Sequence, residues 1–276
     1  MTITTIHAGN FKLDGGAMFG VVPKQMWQHK NAPDENNMCT WAMRCLLIQT
    51  EGRNILVDTG MGDKQDEKFR SHFEPHGEHS LLGSLKSAGL GVDDISDVFL
   101  THLHFDHCGG AIYRDADNFL RPTFPRAVYW CNQRHYDWAY RPNARERASF
   151  LPENFVPLRD RNVLQFLPTD RDRFEWLPGI EVELRYGHTD AMMTLWLDAG
   201  EHTVAYPTDL LPSSGHVSLP WVMSYDVRPL RTLEEKRPFL EEISHPNHRV
   251  LFEHDPTMAY GRVFKDERGR FRVEGI

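Results

Sequence analysis

The run Thr101-His102-Leu103-His104-Phe105-Asp106-His107-Cys108-Gly109-Gly110 places four metal-binding side chains within six residues. It follows Asp97-Val98-Phe99-Leu100, which reads as a short buried strand. A helix would fan residues at this spacing in several directions. A strand ending in a tight loop instead folds two alternating imidazoles and an Asp-His pair around one point. Gly109 and Gly110 let the backbone leave that turn without a side-chain clash. A single histidine is usually a satisfied core or surface group. Four ligand-type groups in one loop are more than an ordinary polar loop collects, so the expected chemistry is metal binding. Cys108 is expected to pack as a small apolar group beside the loop rather than to attack a substrate.

A catalytic metal centre needs further donors, and they too should stand at strand ends. Gly187-His188-Thr189 follows a strand ending at Tyr186, Asp209 follows one ending at Tyr206-Pro207-Thr208, and His254 follows Leu251-Phe252-Glu253. In a layered sheet such ends can converge on one edge. Asp58, ahead of Gly60 and Gly62, is expected to brace a metal ligand from behind by hydrogen bonding a neighbouring loop. His72, His76 and His79 have the spacing of one helical face, but Pro75 and Gly77 interrupt it, so a solvated loop is expected there.

The elements that must position these groups are legible in outline. Residues 41–50 and 54–58 read as a hairpin turned by Glu51-Gly52-Arg53, apolar enough to be covered on both faces. Residues 80–89 carry leucines at helical spacing with Gly89 as a stop. A strand is expected at 127–131, a helix at 133–140, and a long surface excursion over 141–161. Strands follow at 162–166, 180–185, 193–197, 203–206 and 249–252, with a hairpin near Arg268-Gly269. Thr232-Leu233-Glu234-Glu235 has the form of a capping box opening a helix to about Ile243. The glycine-rich segment 9–27 reads either as a cover over a pocket mouth or as an edge strand. With no repeat or linker, 1–276 is read as one domain.

The chain has 276 residues, is 40% hydrophobic and 25% charged, and has a formal net charge of −8. That balance argues against a nucleic-acid backbone as ligand, and no apolar run reaches membrane-spanning length. The N-terminus lacks the basic-then-apolar start of a secretory signal. Four well-separated cysteines without a CxxC pair favour reduced thiols in a cytoplasmic protein.

His102-x-His104-x-Asp106-His107 followed by His188, Asp209 and His254 resembles the metallo-β-lactamase superfamily, with Asp58 matching its first motif. The resemblance implies an α/β (α+β) fold, an αββα sandwich of two mixed sheets back to back with helices outside. It places one metal on His102, His104 and His188 and a second on Asp106, His107 and His254, with Asp209 bridging. Such N/O donors without thiolate suit zinc, with iron, manganese or cobalt as alternatives. Two ions roughly 3.5–4 Å apart lower the pKa of a shared water toward about 7, so a hydroxide is the expected nucleophile. Asp106 is then expected to shuttle the proton, with Asp209 the other catalytic carboxylate. Dizinc β-lactamases commonly have cysteine where this chain has Asp209, which argues against antibiotic hydrolysis.

Phe19-Gly20-Val21-Val22-Pro23-Lys24 and Thr208-Asp209-Leu210-Leu211-Pro212 look most like the branch of acyl-homoserine-lactone lactonases and methyl parathion hydrolase. The implied substrate is a lactone, aryl ester or organophosphate with an apolar portion, contacted by Phe19, Met26, Trp27, Phe105 and His216. The tyrosine that well-known lactonases carry three residues after the bridging aspartate is replaced by Pro212, with His216 or Tyr225 as stand-ins. A glyoxalase II-like thioesterase is the alternative, then an iron-dependent persulfide dioxygenase. The expected partner is a small molecule, neither nucleic acid nor membrane, and relatives of this branch often pair as homodimers.

Overall fold

The computed structural model describes residues 1–276. One sheet is built from β1 (Thr2–Asp14), β2 (Met38–Thr50), β3 (Arg53–Val57), β4 (Asp97–Phe99), β7 (Val128–Asn132) and β8 (Leu164–Leu167), in that spatial order, while β5 (Ile112–Arg114) and β6 (Leu120–Pro122) pair as a separate ribbon. A second sheet holds β9 (Arg173–Leu177), β10 (Ile180–Arg185), β11 (Met192–Asp198), β12 (Thr203–Tyr206), β13 (His248–Leu251), β14 (Tyr260–Lys265) and β15 (Phe271–Gly275), each beside the next. The helices are α1 (Gly15–Phe19), α2 (Lys24–Trp27), α3 (Glu67–Phe73), α4 (Leu81–Ser87), α5 (Phe105–Cys108), α6 (Gln133–Tyr140), α7 (Val156–Asp160) and α8 (Pro229–Ile243). The chain divides into two compact units, Met1–Asn10 with Met43–Arg171 and Phe11–Ala42 with Asp172–Ile276.

In the first unit β2 and β3 form the expected antiparallel hairpin. Glu51 and Gly52 both take positive φ at its turn, the geometry whose twist matches that of the flanking strands. β3, β4, β7 and β8 then pair in parallel. Asp58, the His102 loop and Asn132 therefore all leave from the carboxyl edge of neighbouring parallel strands, where α/β sheets present ligand-binding groups. Leu56, Val98, Leu100 and Tyr129 bury behind that edge.

In the second unit β11 is antiparallel to both β10 and β12, and β13 is parallel to β12. β10, β12 and β13 thus run the same way, and the residues after them, His188, Asp209 and His254, emerge from one edge. This is the arrangement the strand-end reading required. Met192, Ala205, Phe239, Leu240 and Val250 form the core under it.

Three sequence expectations are corrected. Segment 9–27 is not an edge strand throughout: after β1 it turns into α1 and α2, whose Phe19 and Trp27 are buried. Segment 141–161 is no surface excursion, because Phe150, Phe155 and Leu158 drive it into the first unit's core despite its polar average. α8 starts at Pro229, not at a Thr232 capping box, with proline supplying the first-turn geometry. The hydroxyl of Thr232 instead meets the Arg228 carbonyl within its own helix. All four cysteines are free and buried, and no helix is long and apolar enough to cross a membrane.

Candidate metal centre

In the first unit, Asp58 ends β3 with φ +59°, a left-handed conformation that side chains seldom take without a reason. The reason is visible in its bonds. Its carboxylate accepts from the Thr101 amide at 2.9 Å and from the Thr101 hydroxyl at 2.7 Å, and its Oδ2 lies 3.4 Å from His107 Nδ1. Full burial pushes the Asp58 pKa up against the lowering by His107 and Thr101. Asp58 thus ties the start of the loop, at Thr101, to His107.

Two donor pairs stand here, one on the loop and one on the one-turn helix α5, which replaces the loop expected throughout. His102 Nε2 and His104 Nδ1 are 3.1 Å apart, and His107 Nε2 is 3.6 Å from Asp106 Oδ2. Of the opposite nitrogens, His102 Nδ1 lies 3.2 Å from Thr101 Oγ1, while His104 Nε2 faces Glu146 Oε1 at 3.6 Å, too far for a hydrogen bond. Leu103 is held from a distance, its amide donating to His135 Nε2 at 2.9 Å. Asn132 caps the helix that carries His135, accepting from the His135 amide at 2.7 Å. Gly109 is obligatory, since a Cβ there would lie 2.0 Å from the Met61 carbonyl oxygen. Cys108 is buried, its thiol donates to the Leu103 carbonyl, and burial pushes its pKa up to about 12. It packs beside the loop, as expected.

In the second unit, Asp209 turns each oxygen toward a different imidazole, Oδ2 to His188 Nε2 at 3.0 Å and Oδ1 to His254 Nε2 at 3.2 Å. Thr208, just before it, has φ +47°, a strained state for a β-branched residue. His188 Nδ1 donates to Asp226 Oδ1 at 3.0 Å, and His254 Nδ1 donates to the Ala42 carbonyl at 2.7 Å. Burial alone would lower the His188 pKa, but Asp209 and Asp226 outweigh it and lift it to about 10. The turn bearing His188 is clamped by α8, where Glu235 accepts from the Tyr186 and Gly187 amides at 2.9 and 3.1 Å. A Cβ on Gly187 would fall 2.4 Å from the Thr232 amide nitrogen.

His102, His107, His188 and His254 therefore each set one nitrogen against a hydroxyl, carboxylate or carbonyl and turn the other toward a second donor. That is how metal-binding histidines are oriented and their tautomers selected. The donor set is nitrogen and oxygen only, which fits divalent zinc-type ions.

The family model of the metallo-beta-lactamase superfamily matches residues 44–254. The chain belongs to this superfamily. As a member it has the metallo-β-lactamase fold. Among curated proteins it is similar to N-acyl homoserine lactonase AiiA of Bacillus thuringiensis subsp. kurstaki, 24% identical over 172 residues. It is also similar to an N-acyl homoserine lactonase of Bacillus cereus, 25% identical over 172 residues. Each match covers 59% of this chain and 59% of the relative, so the chain spans under two thirds of their length. A probable metal-dependent hydrolase from Staphylococcus aureus superposes with TM-score 0.87 at 27% identity, covering 99% of this chain and 96% of that one. AidC, a dizinc quorum-quenching lactonase in complex with a product, superposes with TM-score 0.78 at 21% identity over 99% and 94%.

The expected substrate contacts of this superfamily chain fall into different settings. Phe19 is fully buried and stacks on Trp27 at 5.4 Å and on His216 at 4.7 Å. His216 uses both nitrogens, one with Ser213 Oγ at 2.7 Å and one with the Met18 carbonyl at 2.9 Å, and burial lowers its pKa to about 3. It is a neutral packing ring, and this overturns its reading as a stand-in for the missing tyrosine. Met26 is exposed, and Phe105 packs against Phe69 and Phe73 at 5.2 and 4.4 Å. Pro212 accepts the His254 amide at 3.0 Å, a backbone role. His72 lies in the last turn of α3, which corrects the loop expectation there, while His76 joins Asn10 through backbone bonds and His79 packs tilted against His7, so 74–80 is a loop as expected. Sequence reasoning missed Glu146, His135, Asp226 and Glu235, whose only signal is the partner each meets far along the chain.

Proposed function

We propose that this chain is a dinuclear metallohydrolase that opens lactones or cleaves esters carrying an apolar portion. One observation carries the reading: Asp209 aims its two carboxylate oxygens at two different histidines, as a carboxylate shared by two ions must. The proposed ligands are His102, His104 and His188 for one ion and Asp106, His107 and His254 for the other, with Asp209 common to both. Support comes from the family match, which runs through all seven positions, and from lactonases among the relatives. When bound, the ions would polarise the substrate carbonyl and supply a nucleophile at neutral pH.

The chain's own residues have definable parts in that scheme. Asp58, Thr101, Asp226 and the Ala42 carbonyl hold ring tautomers so that the ligating nitrogens stay unprotonated. Asp106 is proposed to accept the proton released on attack and return it to the leaving oxygen. With Pro212 unable to donate and His216 consumed in the core, Tyr225, 37% exposed, is proposed as the hydroxyl that steadies the developing oxyanion. Phe105, on its aromatic support, is proposed to meet the apolar part of the substrate.

Elemental analysis together with a panel of lactones, aryl esters, a phosphotriester and S-lactoylglutathione tests this. Two ions per chain and turnover of lactones or aryl esters are expected. Asp209→Ala should cost more than the roughly 10–100-fold lost when only a supporting partner is removed. One iron per chain with oxygen uptake on a persulfide, or hydrolysis of the thioester alone, would overturn it.

A further inference from the structure

Within the second unit, a cleft of about 580 Å³ opens between the turn Ser214–Val217, the chain just after it, and β15. Lys30, Arg237, Arg270 and Arg272 line it, and no Asp or Glu does. Four cations around one concavity stand out in a chain of net charge −8. Asp266 holds Arg270 at 2.9 Å and Arg272 at 3.0 Å, which orients both and offsets part of their charge. Lys30 and Arg237 have no such carboxylate and keep theirs. Between the cations the surface is apolar, formed by Met26, Trp221 and Phe271.

The wall is built rather than loose. The Ser214 amide donates to Asp255 at 2.9 Å, and its hydroxyl donates to the same oxygen. Lys236, fully buried, reaches up from α8 and donates to the Ser218 carbonyl at 3.0 Å and the Trp221 carbonyl at 2.7 Å. Gly215 keeps the wall close to Lys30, whose Cβ would stand 3.3 Å from any Cβ placed there. A concavity of this size, within the roughly 300–1,000 Å³ of small-molecule sites, binds without first paying for order.

We propose that this cleft binds an amphipathic carboxylate, an acyl chain of medium length with one anionic head. Lys30 and Arg237 take the head, and Met26, Trp221 and Phe271 take the tail. A free phosphate would leave the apolar floor uncovered, and a chain of net charge −8 disfavours a nucleic-acid backbone. The ligand class is that of the acid left by ester or lactone hydrolysis, but binding here uses none of the seven proposed metal ligands and requires no turnover.

Photolabelling of the metal-loaded chain 1–276 with decanoic acid bearing a terminal diazirine, followed by peptide mapping, tests the site. Label is expected on peptides holding Trp221 or Phe271, and unlabelled decanoate should suppress it. A Lys30→Glu, Arg237→Glu variant should take up about tenfold less, since reversing unpaired charges at a binding rim costs affinity. Both positions are exposed, so this variant retains its fold, checked by thermal melting. The methyl ester of the same probe should also label about tenfold less than the acid. Equal labelling by acid and ester, label spread along the chain, or label confined to peptides holding His102 or His188 would overturn the proposal. So would binding to anionic vesicles without protection by free decanoate. The last three leave the hydrolase reading standing, and a failed substrate panel leaves the cleft standing.

Discussion

Each ligand-type histidine is defined as much by its outer nitrogen as by its inner one. His104 is the instructive case, because its outer nitrogen faces Glu146, a nearly buried carboxylate that also accepts from Trp138 Nε1 at 2.8 Å and Asn143 Nδ2 at 2.5 Å. Glu146→Gln preserves shape but sets an amide donor against a ring that must itself donate. Metal affinity, measured by competition with a chromophoric chelator, is expected to fall about 10–100-fold. Glu146→Asp should recover part of it, which a purely packing role would not produce. Unchanged affinity in Glu146→Gln would remove Glu146 from the site.

Helix α8 does two jobs with adjacent residues. Glu235 fixes the Gly187 turn, and Lys236 fixes the loop carbonyls of Ser218 and Trp221. Gly187→Ala drives a methyl into the α8 backbone, and a loss of about 1–3 kcal/mol is expected from the overpacking, seen as a lowered melting temperature with reduced metal content. A melting curve identical to that of the parent would show that the turn can shift freely. Lys236 also gives a pH signature. Burial lowers its pKa from 10.5 to about 7, so between those values the unfolded chain binds a proton that the folded chain does not. Stability from this group therefore rises with pH from about 7 to 10.5 and is penalised below 7. Unfolding free energies in urea at pH 7 and pH 9.5 should favour the parent over Lys236→Met more at the higher pH. Parallel pH profiles for the two proteins would refute this.

For the molecule as a whole, bound ions should act as folding ligands. Anything that binds only the native state adds RT ln(1 + [L]/Kd), about 2.7 kcal/mol at a hundredfold excess over Kd. Chelation is therefore expected to lower the melting temperature, and zinc to restore it. We propose that residues 1–276 work as one domain despite their two compact units. A single calorimetric transition for the metal-loaded chain is the expected outcome, and two separate transitions would divide it.

The donor loop was readable from residues alone because its information is local. Four ligand types within six positions, after a strand and before two glycines, need no distant partner to be noticed. His188, Asp209 and His254 stand out as candidates because each follows an apolar strand. Tertiary structure alone decided what orients them. Asp226 reaches His188 across 38 residues, Glu235 reaches Gly187 across 48, and His135 reaches Leu103 across 32. Periodicity and composition report on neighbours a few residues apart, and they carry no trace of a hydrogen bond closed over such a loop. The same limit hid the buried rings of segment 141–161 and the inward turn of His216, whose surroundings exist only once the chain has folded.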